Sequence, residues 1–148
     1  MKKVIYTDKY TEKDDTEGLK YIRWSMFDCP YLGLGSGKRY MERLPALLLD
    51  DVYREENTTF NVVKAYCSKK YADDNAIPTK SPYRVGLAVE LRVTNKIKRF
   101  RVVRALIVRG VQHIAVSRDA VAFDIDDVKN FKMSAKRNYK DDVEFVVY

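Results

Sequence analysis

Metal and nucleophile chemistry is what this chain has least of. Its 148 residues contain one histidine, His113, and two cysteines, Cys29 and Cys67. A single imidazole excludes any site built from two histidines of one subunit. The cysteines lie far apart and form no C-x-x-C pair, so neither a zinc knuckle nor a redox motif is indicated, and both read as structural thiols of a reducing compartment. No apolar run approaches the ~20 residues of a membrane span, and the opening M-K-K-V-I-Y-T-D-K-Y has no apolar core of signal-peptide length. The expectation is synthesis in a cytoplasm with no membrane partner. Release by lysis or packaging into a virus particle needs no such signal and stays open.

What is present suits one globular domain. Hydrophobic residues make up 46% of the chain, and a domain of this size buries about two-thirds of its unfolded surface. Lys and Arg exceed Asp and Glu by 28 − 21 = 7, a balance that favours polyanions, although many soluble domains carry as much.

Residues 7–18 are almost all polar or charged, so 1–18 reads as a flexible N-terminal segment and the fold is expected to begin near Leu19. The turn-rich Y-L-G-L-G-S-G at 31–37 lacks both the G-K-[ST] ending and the preceding strand of a phosphate loop, which excludes a nucleotide site of that kind. Met41, Leu44, Leu48 and Val52 repeat at helical spacing, with Pro45 in a first turn, and predict an amphipathic helix ending near Asn57. Residues 59–66 read as a strand. Residues 85–93 alternate large apolar groups with Gly86, Ala88, Glu90 and Arg92, a second strand with Glu90 on its small-residue face. A stronger helix is expected over 96–109, with Phe100, Val103 and Ile107 inward and a basic patch of Lys98, Arg101 and Arg109 outward, closed by Gly110. Two short strands, 111–116 and 120–125, predict a hairpin across 117–119. The segment 133–148 reads as a basic C-terminal extension ending in a strand at 143–148. The fold class is therefore α+β, a small antiparallel sheet packed against helices.

One stretch resembles a known family. S-P-Y-R-V-G-L-A-V-E-L, residues 81–91, is similar to the S-x-H-x-x-G-x-A-V-D segment of peptidase family M15, the D-Ala-D-Ala carboxypeptidases and L-Ala-D-Glu endopeptidases of cell walls. G-V-Q-H-I-A-V-S-R-D-A-V-A-F-D-I-D, residues 110–126, resembles that family's G-[IVF]-x-R-I-G-[IV]-x-x-x-F-[IV]-H-[VI]-D-[VI]-D. Weaker similarity reaches W-S-M-F-D-C-P at 24–30 and V-K-A-Y-C-S at 63–68, after which Asn75 is the candidate for a family Asn. Coverage runs from about Lys20 to residue 132, which sets the peptidase-like domain at 19–132. The resemblance implies the hedgehog/D-Ala-D-Ala peptidase type of single domain.

The resemblance also implies a loss. Tyr83 stands at one zinc-ligand His, Glu90 at the ligand Asp, Ala122 at a second ligand His, Cys67 at a substrate-binding Arg and His113 at another Arg, while Ser81 and Asp124 match. A catalytic zinc needs lone pairs from three protein ligands plus an open position. An alanine methyl has none, and a phenol of reference pKa near ~10 is a poor ligand at neutral pH. The vestigial site is thus Ser81, Tyr83, Glu90, Ala122, Asp124 and Cys67, with no catalytic residue, metal or cofactor expected, and Glu90 is expected to find a partner among Arg84, Arg92 and Tyr83. Glu90 and Asp124 could together do acid–base work, but ordinary polar residues in a disused pocket explain them as well. Cys67 has no imidazole expected beside it.

Three functions follow. The leading one is a catalytically inactive, phage-encoded domain reused as a binding, virion or accessory protein, in contact with capsid or tail protein, wall peptide or the genome. The alternatives are an active peptidoglycan peptidase with an unorthodox centre and a basic nucleic-acid-binding protein working through residues 96–109 and the C-terminal basic segment. Oligomeric state is not legible.

Overall fold

A computed structural model describes residues 4–57 and 60–125. Its centre is a four-stranded antiparallel sheet of order β1-β2-β4-β3, formed by β1 (Asn61–Lys64), β2 (Ala88–Arg92), β3 (His113–Val116) and β4 (Ala120–Asp124). The architecture is α+β, as the alternation of strand-like and helix-like periods predicts. Period two gives the sheet two distinct faces. Val62, Val89, Leu91, Ile114, Val116, Val121 and Phe123 enter the main core. Ala88, Glu90, Ala122, Asp124, His113 and Ala115 alternate with them and take the other face.

Two helices cover the core face, α3 (Arg43–Glu56) and α5 (Lys96–Val108). Both have the expected extents, and α3 ends at Asn57 in the left-handed region (φ 48°). Their faces differ from those read in the sequence. In α3 the buried groups are Pro45, Ala46, Leu49, Val52 and Tyr53, whereas Leu44 points outward. In α5 they are Val102, Val103, Ala105 and Leu106, whereas Phe100 and Ile107 are exposed. Both helices carry apolar residues around most of their circumference, so helical spacing alone admitted more than one inward stripe.

The strand expected over 85–93 begins only at Ala88. Pro82 opens a 3-10 turn, Pro82–Val85, and Gly86 closes it at φ 73°. Chain 40–42 crosses there so closely that a Cβ on Gly86 would collide with the Tyr40 carbonyl. The glycine therefore serves a crossing, not the floor of a cleft.

Residues 4–18 form no free tether. Thr11 and Asp14 make a capping box on α1 (Glu12–Thr16). Asp15 is fully buried and accepts hydrogen bonds from Tyr10 Oη (2.8 Å), Ser25 N (2.7 Å) and Ser25 Oγ (2.9 Å). Trp24 Nε1 donates to the Glu17 carbonyl at 2.8 Å. Polar composition concealed these contacts because the segment is held by hydrogen bonds and not by apolar burial. Further on, Asp50 of α3 accepts from three successive amides, Lys20, Tyr21 and Ile22, and so fixes the next stretch to the helix. The extension at 133–148 and its strand lie outside the described residues.

Asp15→Ala removes the acceptor of several half-buried donors and is expected to lower stability by about 2–3 kcal/mol. Urea unfolding read beside amide exchange at residues 12–16 checks it, and unchanged exchange there would refute the anchoring.

Candidate functional site

Antiparallel pairing of β2 with β4 sets Glu90 opposite Ala122 and Ala88 opposite Asp124. On the other side of β2, a bulge between Val62 and Lys64 brings Lys64 opposite Glu90. Tyr83 reaches the same face from the 3-10 turn, whose Ser81 hydroxyl accepts the Tyr83 amide hydrogen at 3.3 Å. The second face of the sheet thus gathers Tyr83, Glu90, Ala122 and Asp124, and adds Lys64 and His113.

Glu90 has a cation at hand. Lys64 Nζ lies 3.9 Å from Glu90 Oε1 and 4.9 Å from the centre of the Tyr83 ring. The partner is Lys64, brought across by strand pairing, and neither Arg84 nor Arg92. Arg84 instead donates to the Cys67 carbonyl at 2.5 Å, and Arg92 faces solvent. Burial raises the Glu90 carboxyl above its usual range, Lys64 draws it down in part, and Asp119 adds a smaller upward push.

Tyr83 is only 1% exposed and packs in a small cluster with Cys67, Ala72, Ile77 and Ala88. Its carbonyl accepts the Cys67 amide at 2.9 Å. The Cys67 thiol is pushed up to about 12, chiefly by burial, so it is not a thiolate at neutral pH. Ala122 is fully buried between Glu90 and Ala115.

Chemistry that the motifs did not predict sits beside this face. His113 Nδ1 lies 2.8 Å from Asp124 Oδ1, with the carboxylate side chain fully buried and the imidazole about a quarter exposed (26%). The carboxylate orients the ring. The hairpin register carried the signal, because pairing Val116 with Val121 leads outward to His113 opposite Asp124. The imidazole is two strands from Ala88, roughly 10 Å by strand spacing, and it is engaged by Asp124. It offers Cys67 no general base.

No protein-family model, curated protein or solved structure matches this chain.

The zinc implied by the resemblance can be tested against these residues, and they do not fit it. Ala122 supplies no donor, Tyr83 is packed among apolar groups, and Glu90 faces a lysine ammonium, which repels a cation. Among the described residues, no group of three or more His, Cys, Asp or Glu is placed to hold a metal ion.

The basic patch divides. Lys98 and Arg101 are exposed on α5. Arg109 forms ion pairs with Asp51 (2.8 Å) and Glu55 (2.6 Å) and donates to the Ala105 carbonyl at 3.0 Å. It clamps α5 to α3, and its guanidinium holds the Asp51 carboxyl below the usual range. A shallow hollow of about 170 Å³ lies beside it, lined in part by Leu44, Leu48, His113 and Asp124.

A carboxyl raised by folding binds its proton more tightly in the native state. It therefore contributes stability that is complete below the unfolded value near ~4.3 and is lost as pH rises through the folded one. The unfolding free energy of the native protein minus that of Glu90→Gln is expected to fall as pH is raised from about 4. Parallel denaturation curves at stepped pH measure it, and a rising difference would contradict the burial-dominated environment.

Proposed function

We propose that this chain is a catalytically inactive relative of the M15 zinc peptidases, phage-encoded and working by association as a binding, virion or accessory protein. The observation that supports it most is the occupation of the resembled ligand positions. Tyr83, Lys64 with Glu90, and Ala122 fill that face with an apolar ring, a compensated ion pair and a methyl group. A hydrolytic site needs an activated water or nucleophile in an accessible cleft, and this packing favours neither. The partner classes consistent with such a role are capsid or tail protein, wall peptide and nucleic acid.

An active peptidase would need another centre. Glu90 and Asp124 are two acidic residues on one sheet face, but Glu90 has a lysine ammonium 3.9 Å away and Asp124 Oδ1 is engaged by the His113 imidazole. Nucleic-acid binding by α5 is less favoured than the sequence implied, because Arg109 is committed to α3 and exposed apolar residues interrupt the remaining cations.

Two experiments test the proposal together. The protein is expected to release no peptide from peptidoglycan in the presence of zinc. Tyr83→His, Glu90→Asp and Ala122→His, combined with Lys64→Ala to remove the opposing ammonium, is expected to gain about one zinc per chain. Glu90 and Ala122 are cross-strand neighbours, about 5 Å apart at Cβ, within reach of a shared ion. Peptide release by the native chain would overturn the inactive reading. A folded quadruple variant that ignores zinc would overturn the kinship.

A further inference from the structure

The exposed face of α5 is the least explained surface among the described residues. Its 13 residues, K-I-K-R-F-R-V-V-R-A-L-I-V, contain five cations and no acid. Ile97 is 65% exposed, Phe100 64% and Val108 76%. At 100° per residue, Ile97, Arg101, Arg104 and Val108 fall on one outward ridge with Phe100 beside it. Arg104 lies over the Phe100 ring, its guanidinium carbon 5.9 Å from the centroid. Arg99 is turned away from the ridge and donates to the Val93 and Thr94 carbonyls. The opposite side of the helix is already buried in the core through Val102, Val103 and Leu106, so this exposure is not the helix's means of folding.

Interleaving decides what fits. Three large apolar groups exposed along about 20 Å of helix form a patch that water wets unfavourably and that isolated surface residues do not. A lipid surface would require cations flanking a continuous apolar strip, whereas Arg104 sits between Phe100 and Val108. A phosphate backbone would satisfy Arg101 and Arg104 but offers Ile97, Phe100 and Val108 nothing apolar. A second copy of this face would set cation against cation. An amphipathic helix bearing carboxylates beside Leu-like side chains satisfies both kinds of group at once, reading the ridge at i, i+3, i+4 and i+7 spacing.

We propose that the outward ridge of α5, Ile97, Phe100, Arg101, Arg104 and Val108, docks an acidic amphipathic helix of a partner protein. The inference rests on the reading that the domain acts by association, and it names the surface and the partner's chemistry. The sheet face that lost its ligands is then not the contact surface.

The test titrates the full chain, by fluorescence anisotropy, into a labelled synthetic helix of about five turns carrying a leucine stripe flanked by glutamates. The same helix with lysines, a DNA duplex of equal length, and vesicles of phosphatidylcholine with phosphatidylserine serve as the other probes. The glutamate helix is expected to bind best. Phe100→Ser and Arg104→Glu, both at solvent-exposed positions, should each weaken it at least about tenfold, with the Arg104 variant showing a shallower salt dependence. No binding of the glutamate helix, tighter binding of lysine helix, duplex or vesicle, or self-association that Phe100→Ser dissolves would each overturn the proposal. None of these outcomes touches the zinc-gain test, so the two readings fail separately.

Discussion

The antiparallel register between β2 and β4 is the constraint on which the rest of the structure depends. A slip of one residue would exchange the two faces of the sheet, sending Glu90 and Asp124 into the core and Val89, Leu91, Val121 and Phe123 to the other side. The observed register is secured by burial of those four apolar side chains against α3 and α5. Each contributes on the order of 1.5–3 kcal/mol. The placement of Glu90 beside Ala122, and of Asp124 beside His113, is a consequence of core packing.

On that second face each carboxylate meets a polar neighbour from a flanking strand. Glu90 receives Lys64 through a bulge, and Asp124 receives His113 through the hairpin. An isolated carboxylate at either position would be costly to desolvate. Both partners enter from strands flanking the β2–β4 pair, so charge compensation depends on strand neighbours and not on residues adjacent in sequence. Arg109 does the same work between helices by bridging α5 to Asp51 and Glu55 of α3. Arg109 is thus held inside the fold, whereas Arg101 and Arg104 stay exposed on the outer ridge of α5.

Several features were legible in the sequence because local chemistry determines them. The hairpin across 117–119, the helix over 96–108 and its closure at Gly110, and the two-faced alternation of 88–92 follow from turn residues and period. Where the sequence misled, two arrangements satisfied the same local rule. In α5, Phe100 and Ile107 fit an inward stripe as well as Val102 and Leu106 do, and only the position of the sheet decides between them. Gly86 looked like part of a strand because its requirement comes from Tyr40 to Glu42, a chain segment far from it in sequence. Lys64 was not foreseen as the partner of Glu90 because a bulge shifts it into register. The N-terminal segment looked free because tyrosines, a serine and one aspartate hold it.

The proposed reading turns on a sheet face that holds no metal. The metal content of the untagged protein, measured after equilibration with zinc and removal of the free ion, tests it most directly. Less than about a tenth of an equivalent per chain is the predicted result, since three lone-pair donors are needed and the face offers a methyl, a packed phenol and a carboxylate already paired. Close to one tightly held zinc per chain would contradict it.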